Sequence, residues 1–215
     1  MPVKANTKFS SFEYIAGFAD PLFEPIRVYG AVDSVYRALK PWNVLPQDVK
    51  YKGGINTPFD PVISIELAKT QYTINLGMGG FGFKGNAVDW SQAPVIIEII
   101  QSTAKALEGA LKTVRADHSL TIIMQLALVG KSIREITIPF AAPMGYPIKE
   151  TDFFGFMLHT INDGLFYMDK SAADPNDLFV RIVRKFKGSQ EMETMSKDMY
   201  EAELWLAKTL GIEIE

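Results

Sequence analysis

The sequence predicts an α+β protein, a mostly antiparallel sheet with two long amphipathic helices packed on one face, and three observations carry that expectation. The first is the run from Asp89 to Val114, where Ile96, Ile99, Ile100, Thr103, Leu107, Ala110, Leu111 and Val114 recur at the three-and-four spacing of one helical face. The second is a period of two in residues 62–76 and again in 119–129. The third is a closing run over 189–210 that lines up Met192, Met195, Met199, Ala202, Leu206 and Leu210 before Gly211 stops it.

Bulk properties narrow the class. A chain of 215 residues is long enough to bury about 70% of the surface its unfolded form exposes, so no disulfide or metal staple is needed. Its 47% hydrophobic and 22% charged residues with a net charge of -3 are those of an ordinary globular protein and argue against a dedicated nucleic-acid binder. No run of about 18 uncharged apolar residues marks a membrane span, and residues 1–14 lack the apolar stretch of a signal peptide, so the cytoplasm is the expected compartment. With no cysteine, thiol nucleophiles and cysteine-ligated metals are excluded.

Taken in order, residues 1–25 read as an aromatic arm with at most a short helix near Phe12 to Phe18, and residues 26–215 as one α+β domain. Ile26 to Leu39 is ambiguous between a strand over IRVYGAV and a helix opening at Asp33, and the proline-rich stretch after it reads as a connecting loop. Ile63, Ile65 and Leu67, then Tyr72, Ile74 and Leu76, predict an antiparallel pair with one wet face. The long helix should start under an Asp89 or Ser91 cap, run about 35 Å, and pair Glu108 with Lys112. Ser119 to Val129, apolar or small on both sides, should be a central strand, and Lys131 to Ile138 a short link. Asn162-Asp163-Gly164 signals a hairpin between Phe153–His159 and Leu165–Asp169, and Leu178 to Lys187 a further strand. This order of strands then helix, given twice, divides the domain into similar halves at 26–145 and 146–215, without residue-level repetition.

Several constellations invite chemistry. Gly77-Met78-Gly79-Gly80-Phe81-Gly82 matches the G-x-G-x-x-G dinucleotide fingerprint by letter, yet Phe83 to Trp90 separate it from the next helix, so a bulge or hairpin explains it better; Gly79, Gly80 and Gly82 stay as ligand-binding candidates. His159 with Asp163 can form a carboxylate-oriented general base. His118 reads as a helix-end or solvated residue. Asp163, Asp169, Asp174 and Asp177 lack the order of a calcium loop and read as turn residues, and no histidine spacing suits a metal, so neither metal nor cofactor is expected. Arg181, Lys185 and Lys187 form a basic stripe that reads as protection of an edge strand.

Without a catalytic set, the expected function is non-catalytic: a binding or assembly protein that self-associates or takes a protein partner, with Phe12, Phe18 and Trp205 as contact residues. The alternative is a small-molecule enzyme or ligand-binding domain with a cavity between sheet and helices, mouthed by the glycines and served by His159 and Asp163.

Overall fold

The computed structural model describes residues 3–52, 60–67, 70–113, 115–145, 149, 155–159, 164–187, 201, 204 and 207–214. The architecture is α+β, built on one ten-stranded sheet. Its strands are β1 (Val3–Phe18), β2 (Val49–Tyr51), β3 (Pro61–Leu67), β4 (Tyr72–Gly77), β5 (Gly80–Asn86), β6 (Arg115–Leu128), β7 (Phe156–His159), β8 (Leu165–Lys170), β9 (Asp177–Lys187) and β10 (Ile212–Ile214). They lie in the order β2-β3-β4-β5-β1-β6-β9-β8-β7, every neighbour antiparallel, while β10 adds to β1 in parallel.

Most of the expected arm is therefore the middle of the sheet. Residues Phe12 to Phe18 are extended, not helical, because Phe12, Tyr14, Ala16 and Phe18 alternate into the core between β5 and β6. A bulge hides this alternation in the sequence. Thr7 pairs with Leu126 and Phe9 with Gln125, so Lys8 is an extra residue. It moves the inward set from Val3 and Ala5 to Ser10 and the even residues after it. Lys8 reaches Asp177 at 2.8 Å and Asp174 at 3.1 Å, and the buried Asp177 also accepts from Gln125 at 2.7 Å.

Helix α1 (Pro25–Leu39) resolves the ambiguous stretch as one continuous helix. Pro25 suits its first turn, and Val28, Ala31, Val32, Val35 and Leu39 form a helical stripe whose burial outweighs the strand preference of its valines. The proline-rich segment that follows contains two 3-10 turns and β2. Helix α2 (Ala93–Leu111) is the expected long helix, shortened to 19 residues, or about 28 Å. It buries Ile96, Ile99, Ile100, Thr103, Leu107 and Leu111 as anticipated, but Ala110 is exposed and Val114 lies outside the described residues. Asp89 accepts from the Ser91 amide, which holds its carboxyl below the usual range. The helix ends one residue earlier than the Glu108–Lys112 pair requires: Lys112 turns left-handed (φ 52°), and Glu108 takes Arg115 instead.

Lys131 to Ile138 is not a plain link. It opens helix α3 (Ile133–Ala141), where Ser132 and Glu135 cap each other's amides and the Ser132 N–H keeps the Glu135 carboxyl low. Residues 201, 204 and 207–210 are helical, within the span expected for the closing helix; Met192, Met195, Met199, Ala202 and Leu206 lie outside the described residues. His159 pairs with Leu165 across β7 and β8, and Asn162 and Asp163, on which the expected hairpin signal rests, lie outside the described residues. Strand β9 lies between β6 and β8, so its basic stripe is not edge protection. No helix among the described residues is long and apolar enough to cross a membrane.

Candidate functional site

Side chains on a strand alternate between faces, so the register divides the sheet into a core face and an open face. Tyr14 pairs with Phe83 and with Leu120, and Ile122 with Ile182; these buried residues define the core face, which also holds Ile74, Ile65, Phe166 and Met168. On the open face, the strands from β2 to β5 follow the rule for a wet antiparallel sheet: Lys50, Ser64, Glu66, Thr73, Asn75, Gly82, Lys84 and Asn86.

The other half breaks that rule. From β1 through β6, β9 and β8 to β7, one row holds Glu13, Thr121, Val183, Leu165 and His159, the next Ser11, Ile123, Arg181, Tyr167 and Met157, and the next Phe9, Gln125, Phe179 and Asp169, so apolar side chains stand among the polar ones. Phe9 is 39% and Met157 56% exposed, and Ile123, Phe179, Val183, Leu165 and Tyr167 are partly exposed between them. Tyr167 meets Phe179 edge to face at 6.0 Å and donates its hydroxyl to Asp169 at 2.7 Å, a bond that lifts its pKa above the ordinary tyrosine value. The aromatic residues, methionine and central arginine of this face are residue types enriched in protein contact surfaces.

A second polar group is internal. Arg115, nearly buried at the start of β6, donates from Nε to Glu108 at 2.7 Å. Burial pushes the Tyr14 hydroxyl up, against the opposing pull of the adjacent Arg115 guanidinium; Arg115 itself, which burial alone would lower, is held above its ordinary value by Tyr14 and Glu108. Arg27 reaches the Leu111 carbonyl at 3.2 Å, so two cations gather where the α2 dipole is negative. His118 is buried, stacked on Phe186 at 5.2 Å and edge-on to Tyr14 at 5.6 Å, and not the solvated helix-end residue expected. This group joins α2 to the sheet. Arg115→Met should lower stability by about 2–4 kcal/mol in urea denaturation, because Glu108 loses its partner, and adding Glu108→Leu should recover at least about half of that.

The residues singled out in the sequence do not converge. His159 is exposed on the outermost strand, opposite the apolar Leu165, and Asp163 lies outside the described residues. Gly79 is in the β4–β5 turn, where its carbonyl accepts from Phe18; Gly80 and Gly82 lie on β5, and the segment is a hairpin. Phe12 and Phe18 are buried in the chain's own core, Phe12 edge-to-face with Tyr72 and Phe83, and Trp205 lies outside the described residues. Asp174 accepts from the Asn176 amide at 3.1 Å, as a turn residue does, and no group of three metal-ligating side chains occurs among the described residues. The open face escaped sequence reading because its residues come from five strands with differing phase; Phe179, Arg181 and Val183 on alternate positions of one strand were the available signal.

No protein-family model matches the chain, and no curated protein does. Among solved structures it is similar to the regulatory subunit of aspartate kinase from Thermus flavus, over 94% of this chain and 97% of that one, at 9% identity and a TM-score of 0.22, too low to define a shared fold.

Proposed function

We propose that this is a non-catalytic, cytoplasmic binding or assembly protein, and that the apolar half of its open sheet face is the working surface. The observation that supports this is the contrast within one sheet. Four strands present polar side chains and glycine on this face, while five add Phe9, Ile123, Phe179, Val183, Leu165, Tyr167 and Met157 to Ser11, Glu13, Gln125, Asp169, His159 and Arg181. Apolar side chains gathered on one open face and rimmed by polar residues are the kind of patch that marks an interaction site. In this reading His159 is a rim residue of the surface, beside Leu165, and not a general base. The two-half organisation belongs to the same reading: each half supplies a meander, β3-β4-β5 and β7-β8-β9, to one side of the central β1–β6 pair, and only one meander carries the apolar surface.

The test is a comparison of the two faces in dilute solution. Phe9→Thr with Met157→Thr should change folding stability by less than about 1 kcal/mol, while Ile122→Thr on the core face should cost about 2–4 kcal/mol. The open-face pair should also reduce binding of a hydrophobic dye by about half or more. A core-sized loss of stability from the open-face pair, with dye binding unchanged, would mean that the face is part of the protein's own packing.

A further inference from the structure

We infer that the occupant of this face is a second copy of the chain, seated back to back across a two-fold axis so that Arg181 of each protomer meets Asp169 of the other. The inference rests on the open-face reading above and adds the partner to it. Register supplies the geometry. Arg181 on β9 stands opposite Tyr167 on β8, and one row along, Asp169 on β8 stands opposite Phe179 on β9. These four residues are the corners of one parallelogram, with the charges on one diagonal and the rings, already in contact at 6.0 Å, on the other. A two-fold axis lying in the contact plane, perpendicular to the charged diagonal through its midpoint and about 20° from the ring diagonal, exchanges the ends of the charged diagonal. Each Arg181 is then carried onto the second copy's Asp169, and Tyr167 and Phe179 meet their own counterparts near the axis. An isologous interface requires this kind of self-complementarity.

Charge and area agree with that arrangement. Arg181 is exposed and forms no ion pair among the described residues, while Asp169 is partly exposed and keeps acceptor capacity beyond its bonds from Tyr167 and the Lys170 amide. The face as a whole mixes Glu13 and Asp169 with Arg181 and Lys185, so it offers no single-sign field to a strongly acidic or basic partner and no repulsion to an identical face. Five strands about 4.8 Å apart and three rows about 6.8 Å apart cover about 500 Å² of flat footprint, and more once side-chain relief is counted. That is the size of a small interface, below the roughly 800 Å² per partner of a standard one, and fits a concentration-dependent dimer. Two such faces would pack as sheets do, about 10 Å apart with interdigitated side chains.

Sedimentation velocity on the full chain over a range of concentrations tests the inference. The unmodified protein should show a concentration-dependent dimer. Arg181→Glu and Asp169→Arg, each alone, should weaken self-association by about a hundredfold or more, because each places like charges together twice. An equal mixture of the two variants should dimerise again, since each supplies what the other lacks, and Arg181→Lys should retain the dimer. Unfolding midpoints near that of the unmodified protein establish that the variants are folded, with Arg181→Lys as the milder probe. A protein that stays monomeric at every concentration, a mixture that fails to associate, or reversals that dimerise unchanged would each overturn the second-copy assignment. If dye binding and the tolerance of Phe9→Thr with Met157→Thr persist in a strict monomer, the open-face reading survives and only the choice of partner falls.

Discussion

Replacing Gly80 with alanine is expected to lower stability by about 3 kcal/mol or more, enough to remove much of the folded population of a marginally stable domain. A Cβ at Gly80 would stand 2.0 Å from the Ala16 carbonyl oxygen and 3.0 Å from the Gly17 Cα. Both obstacles are backbone of the central strand, so no rotamer change relieves the overlap; β5 must move off β1 or the strand must bend. The neighbouring substitution provides the control. At Gly82 the added methyl would lie 3.6 Å from the Tyr14 oxygen, ordinary contact distance, and Gly82→Ala should shift the urea midpoint by less than about a third as much. Equal midpoints for the two variants would show that β5 does not sit as close to β1 as this register requires. The pair also separates the two explanations of the glycine cluster, since a ligand loop would not distinguish these two residues by their distance to β1.

Phe12→Ala should cost about 3–5 kcal/mol, the loss for deleting a large aromatic side chain from a packed interior. Its ring is 1% exposed and makes edge-to-face contacts with Tyr72 at 5.4 Å and Phe83 at 5.0 Å. Gly85, directly across the pair from it, has no room for a side chain because a Cβ there would meet the Tyr72 and Phe12 rings at 2.4 to 2.7 Å. The three rings therefore fill the space that the missing side chain leaves, and removing one opens a cavity that the rigid strands close poorly. Calorimetric unfolding of Phe12→Ala checks this. A stability close to that of the unmodified chain would return Phe12 to a peripheral role.

The parts of this architecture that a sequence can express locally were legible in it. Helix α2, the β3–β4 pair and the centrality of β6 each follow from periodicity within one segment, and all are present. What escaped depends on distant partners or on a single shifted residue. The alternation of β1 is broken by the bulge at Lys8, so its apolar positions look like an irregular aromatic run until β6 supplies the register. The valines of α1 suggested a strand because propensity is read residue by residue, whereas the stripe from Val28 to Leu39 is satisfied only against α2 and the sheet. Helix α3 had a readable signature in Ser132 and Glu135, a capping box preceding Ile136. The open-face surface had only the alternation of Phe179, Arg181 and Val183 on one strand, because which residues share a face of β1, β6, β9, β8 and β7 is set by pairing.

The place of β1 bears on how the chain acquires its structure. Phe12 pairs with Gly85 on one side and with Ile122 on the other, so β1 has no sheet neighbour until residues far along the chain have been made. Local meanders can form early, but their joining waits on closure of loops that span as much as half the sequence, the kind of non-local step that slows folding. Until then an adhesive, unpaired ribbon is open to the wrong neighbours, and the interval in which it stays so is the period of greatest exposure to misassembly.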